Sequence, residues 1–287
     1  MRIDLRLRRG SPVVLVVLAA LCACGPNRTR PMRPIWDGDA GVPVPLGCVP
    51  DLDGRIEARE LAPAYDVGAS FLLSPAGEER DVDVAGVLDP DGTLRWDLGS
   101  DYASDVAARF GPSRVEGKWY AGEFPSGQFA VADDPSGALE AIYRLDEAGL
   151  YLLGFASAQM DPPEGRTLWV YETPVVVFRL PLEPGASWVT ASEVRNATVR
   201  GLPYAGRDTY ESRVVAAGEL TLPDLTFTQA MRVSTRVTIA PSAGAAIQRR
   251  QSSWLFECFG EVARVVSQDG EPSEDFTRAA SMRRFGL

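Results

Sequence analysis

Histidine does not occur anywhere in the 287 residues. Its absence removes Ser-His-Asp and Cys-His catalysis, His-ligated zinc and the commonest general base near neutral pH. Lysine is nearly absent as well: of 29 basic residues only Lys118 is not arginine. Ser-x-x-Lys chemistry fails with it, because Val115 stands three residues before. Gly-x-Ser-x-Gly, Gly-x-x-x-x-Gly-Lys and Gly-x-Gly-x-x-Gly are all missing, so neither a nucleophile elbow nor a phosphate-cradling loop is present. Long apolar runs are missing too. The stretch at residues 12–21 breaks at Gly25-Pro26, well short of the roughly 20 residues that a membrane-spanning helix needs.

What is present begins with an address. Arg2, Arg6, Arg8 and Arg9 form a basic start, and residues 12–21 supply the apolar core of a signal peptide. Leu21-Cys22-Ala23-Cys24 follows and resembles the bacterial lipobox. That resemblance implies cleavage after residue 23, fatty acylation (palmitate) of Cys24, and a lipoprotein anchored in the cell envelope. Gly25 after the acylated position, by the enterobacterial analogy, implies the outer membrane. Residues 1–23 carry four arginines and one aspartate, so 25 basic and 38 acidic residues remain after cleavage, a net charge of −13. Such a balance excludes nucleic acid as a partner and leaves the lipid anchor as the contact with a membrane.

Of four cysteines, Cys22 leaves with the signal peptide and Cys24 takes the lipid. Cys48 and Cys258 remain, and in an oxidising compartment two such residues make one disulfide. Residues 24–47 hold Pro26, Pro31, Pro34, Pro43 and Pro45 with no aliphatic pattern, which reads as a tether.

Residues 48–63 contain Asp51-Leu52-Asp53-Gly54-Arg55-Ile56-Glu57-Ala58-Arg59-Glu60. This segment resembles the calcium loop of EF-hands and dockerins, in degenerate form, with Val49 where those families begin with Asp. The resemblance implies Asp51, Asp53, Glu57 and Glu60 as calcium ligands, carboxylates at alternating positions around a turning glycine. The other reading of the same residues is a turn at Asp53-Gly54 and a short helix over 57–61 ended by Pro63.

From residue 64 to 287 the period is mostly two. Residues 231–239 alternate without a break, placing Met231, Val233, Val237 and Ile239 on one face and Arg232 and Arg236 on the other. Less regular runs occupy 64–73, 82–88, 128–132, 139–145, 150–156, 167–171, 175–180, 188–199, 210–222, 254–259 and 262–266, separated by turns such as Asp89-Pro90-Asp91-Gly92. Residues 101–110 fit either a helix or a strand, and a sub-boundary falls near residue 112. The predicted fold class is mainly β: an antiparallel meander forming an open barrel or a sandwich, with few short helices.

Within 175–268 the order Pro181-Leu182-Glu183-Pro184-Gly185-Ala186-Ser187-Trp188, then Pro223-Asp224-Leu225-Thr226-Phe227, then Gly260-Glu261-Val262 resembles the TapB-like envelope lipoproteins, similar in fold to the LolA and LolB lipoprotein carriers. The Cys24 opening followed by residues 53–60 also resembles lipoproteins of myxobacteria. These likenesses imply a fold and an envelope setting.

The function expected from all this is non-enzymatic: an anchored envelope protein that binds a protein partner or a hydrophobic ligand, with no cofactor other than the calcium of the loop. The alternative is a glycan-acting enzyme using paired carboxylates, for which Glu78-Glu79, Asp81-Asp83 and Asp133-Asp134 are the candidates. An apolar cavity of several hundred Å³ inside the curled sheet would favour ligand binding.

Overall fold

The computed structural model describes residues 47–65 and 67–286. The signal peptide, Cys24 and the proline-rich tether lie outside the described residues. Seven short strands come first: β1 (Ala69–Leu73), β2 (Arg80–Asp81), β3 (Val87–Leu88), β4 (Leu94–Asp97), β5 (Val106–Phe110), β6 (Ser113–Arg114) and β7 (Phe129–Ala132). Longer strands follow: β8 (Leu139–Asp146), β9 (Gly149–Ser157), β10 (Leu168–Arg179), β11 (Ser187–Val199), β12 (Leu202–Thr221), β13 (Thr226–Pro241), β14 (Ile247–Phe256), β15 (Gly260–Ser267) and β16 (Arg278–Phe285).

All sixteen belong to one sheet. From β6 to β16 each strand pairs with the next in chain order, the antiparallel meander that the alternation predicts. β16 then pairs with β1, Phe285 opposite Phe71, and β1 pairs with β5, where the path ends. The two ends of the path, β5 and β6, are separated in the chain by Gly111 and Pro112 alone. The sheet therefore curls until its ends meet. Phe71 and Phe110 on one end pack with Val131 and Ala132 of β7 near the other. Among the described residues the seam has no strand pairing of its own.

Each face of the curl is covered. On the convex face Trp96 and Trp254 meet edge to face, with ring centroids 6.0 Å apart, beneath β3 and β4. β4 runs parallel to β12. It comes so close that a Cβ on Gly218 would lie 2.2 Å from the Leu94 carbonyl oxygen, so only glycine fits there. A second convex layer, Tyr120 and Phe124 from the segment after β6, packs on Ile142, Leu153 and Ala156.

The predicted outward face of β13 is corrected by this cover. Arg232 was expected on the solvated side of a half-buried strand, yet it is 1% exposed. Its guanidinium bonds Asp275 at 2.9 Å and Ser252 at 3.2 Å. Alternation reports that two faces differ, and here a loop lies over the polar one. Smaller differences have similar causes. Runs 167–171 and 175–180 are one strand, β10, with a register shift between Val170 and Val175. The run at 210–222 starts earlier, at Leu202, and residues 101–110 contain β5. The expected helix over 57–61 is a single 3-10 turn, Ala58–Glu60. β4 and β16 were not expected at all.

Candidate functional site

The concave side of the curl encloses a partly open cavity of about 500 Å³. Its walls come from both ends of the sheet and from the middle: Phe71 of β1, Phe110 of β5, Phe129 and Val131 of β7, Leu150 of β9, Val177 and Phe178 of β10, Leu255 of β14 and Phe285 of β16. The pleat sends alternate residues of a strand to one face, and the consecutive Val177 and Phe178 both reach the cavity at the register shift between Val176 and Phe178. The segment Glu60–Ala64 and the β14–β15 turn at Cys258-Phe259 close one end.

That end is tied down covalently. Cys48 and Cys258 form the expected disulfide, with Cα atoms 5.5 Å apart. Beside it the Cys258 N–H donates to the Glu60 carbonyl at 3.1 Å, and the Leu52 N–H to Glu257 Oε2 at 2.7 Å. Ile56, 2% exposed, is bridged to Leu182 by two backbone hydrogen bonds. The strap of residues 48–63 is thus pinned across the barrel mouth.

The predicted calcium ligands lie in this strap and divide. Asp51 and Glu60 come together, joined by Glu257, with carboxylate oxygens within 4.8 Å of one another. Glu257 has no signal in the loop; it arrives from the β14–β15 turn, next to the disulfide. Asp53 turns away to accept the Arg55 N–H at 3.0 Å, and Glu57 pairs with Arg55 and Arg59. The three converging acids already have a cation among them: Arg59 Nη2 lies 2.8 Å from Asp51 and 3.6 Å from Glu60. Burial, with Glu257 and Asp51 nearby, holds the Glu60 carboxyl above its ordinary range.

Beside the apolar wall the cavity has a charged one. Glu261 of β15 takes two bonds from Arg264, 2.8 Å from Nε and 2.7 Å from Nη2, and a third from Arg283 of β16. Burial acts to raise the Glu261 pKa, but the two guanidinium groups outweigh it and hold the carboxyl below its usual range. Arg283 pays for this crowding: burial and the like charge of Arg264 push its pKa down.

Asp133 faces the same space. It lies deep among protein atoms, yet its surface is exposed because it borders the cavity. Burial raises its carboxyl above the ordinary value against the pull of Arg264 and Arg283. Tyr143, stacked on Phe129 at 5.6 Å, has its phenol pushed up to about 12 by burial. Farther along the concave face Tyr171 donates to Asp208 Oδ2 at 2.7 Å and meets the Tyr210 hydroxyl at 3.0 Å, while Trp169 and Tyr204 stack at 4.5 Å.

The candidate catalytic pairs are separated by the fold. Asp134 is consumed by its own turn, accepting from the N–H groups of Ser136 and Leu139, whereas Asp133 borders the cavity. Glu78 holds Arg80 and Ser104, Glu79 pairs with Arg278, and Asp83 accepts the Gly86 N–H. Sequence reasoning missed Glu261, Arg264 and Arg283, which look like the ordinary polar positions of alternating strands. No protein-family model, no curated protein and no solved structure matches this chain.

Proposed function

We propose that this protein is an envelope lipoprotein, anchored through Cys24, that holds one hydrophobic ligand in the lumen of its curled sheet. The observation that carries the reading is the cavity: about 500 Å³, walled by aromatic and aliphatic side chains on strands from both ends of the sheet. That volume falls inside the roughly 300–1,000 Å³ range of small-ligand sites, which bind by burying apolar surface with a few placed polar groups. Fully burying one ligand chain there replaces water on both surfaces, at about 25 cal/mol for each Å² of apolar area.

The test is binding of a neutral apolar fluorophore, phenylnaphthylamine, to protein carrying Cys24→Ser, which removes the anchor's own acyl chains as competitors. One saturable site is expected, displaced by long-chain alcohols and lost in Val131→Trp, whose indole fills the space beside Phe71. Absence of saturable binding, or binding that Val131→Trp leaves intact, would overturn the reading.

A further inference from the structure

The charged wall of this lumen does not balance itself. Arg264 and Arg283 stand opposite each other across β15 and β16, and both turn to one carboxylate, Glu261. Arg264 occupies both Glu261 oxygens, so Arg283 shares an acceptor already taken, and its Nε is buried with no acceptor. Two guanidinium groups on one carboxylate leave one positive charge over. The Arg283 guanidinium carbon lies 5.3 Å from the Phe71 ring and 5.6 Å from that of Phe110, so the surplus charge sits against apolar surface where solvent screens it poorly. Asp133 and Glu60 also line this space, and Glu60 stands 3.6 Å from Arg59 at the strap. Asp133 forms no ion pair with either arginine among the described residues, so Glu261 is the carboxylate bonded to both.

We propose that the lumen binds a single-chain fatty carboxylate, its head on Arg283 and Arg264 and its chain along Phe71, Phe129 and Phe285. The inference rests on the ligand-binding reading above and adds the identity of the head. A carboxylate brings one negative charge, which matches the surplus, whereas a phosphomonoester brings about two. Its planar pair of oxygens suits a guanidinium whose one acceptor is shared with Arg264. A cavity of about 500 Å³ suits one chain and not the several chains of larger envelope lipids. The neighbouring apolar wall begins where the charged wall ends, as an amphiphile requires.

The experiment measures displacement of phenylnaphthylamine from Cys24→Ser protein by three ligands of equal chain length: hexadecanoate, its methyl ester and hexadecyltrimethylammonium. Hexadecanoate should bind roughly tenfold or more tightly than the ester, the scale of a charge-assisted hydrogen bond gained. In Arg283→Met that ratio should fall to about one with the ester's affinity unchanged, and Arg283→Lys should restore part of it. Equal binding of acid and ester by the unsubstituted site would overturn the head-group assignment while leaving a hydrophobic lumen. Tightest binding of the ammonium would reverse its sign. If the fluorophore binds and none of the three displaces it, the assignment fails; if the fluorophore itself does not bind, the lumen reading fails first. The comparison of acid with ester needs no substitution in the lumen, so it decides even where an Arg283 variant does not fold.

Discussion

Reducing the Cys48–Cys258 disulfide perturbs the fold at a point where the magnitude can be worked out. The bond joins residues 210 apart in sequence, so nearly the whole described chain lies inside one closed loop. The chain-entropy model assigns about 5 kcal/mol to a loop of that length, because the crosslink removes conformations from the unfolded state. Residual structure in the unfolded chain trims this, and most native disulfides are worth about 2–4 kcal/mol. We expect a loss of about 4 kcal/mol in the Cys48→Ala, Cys258→Ala double variant. For a domain of this size each kcal/mol moves Tm by roughly 2–3 °C, so Tm should fall by roughly 8–12 °C. The assay is thermal unfolding followed by tryptophan fluorescence and far-ultraviolet circular dichroism, with and without reductant. Trp96 and Trp254, both fully buried, report the core. The loss should also have a location: hydrogen exchange at Ile56 and Leu182, whose backbone groups pin the strap, should rise more than exchange in β12 and β13. Each single variant should lose as much as the double. A Tm within about 2 °C of the parent's, or two free thiols counted in protein carrying Cys22→Ser and Cys24→Ser, would refute the reasoning.

Three further predictions follow from other parts of the chain. Burial raises the Asp133 pKa above its unfolded value, so the native state loses stability as pH rises through the raised value. Asp133→Asn should therefore melt higher than the parent at about pH 8 and match it below about pH 4, near the unfolded carboxyl's own titration; a gain that persists in acid would contradict the sign. In Gly154→Ala the new Cβ would stand 1.9 Å from the Trp169 carbonyl oxygen, across the β9–β10 pairing, and urea unfolding should show a loss of about 3 kcal/mol or more. Metabolic labelling with an alkyne fatty acid should mark the parent protein, and equal labelling of Cys24→Ser would dismiss the lipid assignment.

The parts of this fold that were legible in the sequence are those set by local pattern. Period-two alternation and glycine-rich turns announce an antiparallel meander, and two cysteines left beyond the lipobox-like segment announce one bond. The parts that were not legible depend on what lies across a strand. β16 carries Arg283 and Arg284 in succession, which puts one charge on each face and hides its alternation; both side chains are in fact inside. Arg284 bonds the carbonyls of Leu98 and Ser100, each at 2.6 Å, under the convex cover. Asp133 and Asp134 read as one acidic turn, and only the curl of the sheet separates them, one into backbone hydrogen bonds and the other toward the lumen. The cluster of Asp51, Glu60 and Glu257 was half visible, because Glu257 is brought to the strap by its neighbour Cys258. A charged lumen wall assembled from β15 and β16 requires the register of two strands, which no local window contains.

The central claim is that a fatty chain lies inside the curl, and photo-crosslinking places such a chain directly. A long-chain fatty acid carrying a diazirine at its terminal carbon, irradiated with the Cys24→Ser protein and mapped by peptide mass spectrometry, should label the lumen side of β7 and β16, at Phe129, Val131 or Phe285. Excess hexadecanoate should suppress that labelling. Labelling confined to exposed apolar positions on the outside, such as Val189 and Leu202, would contradict the account.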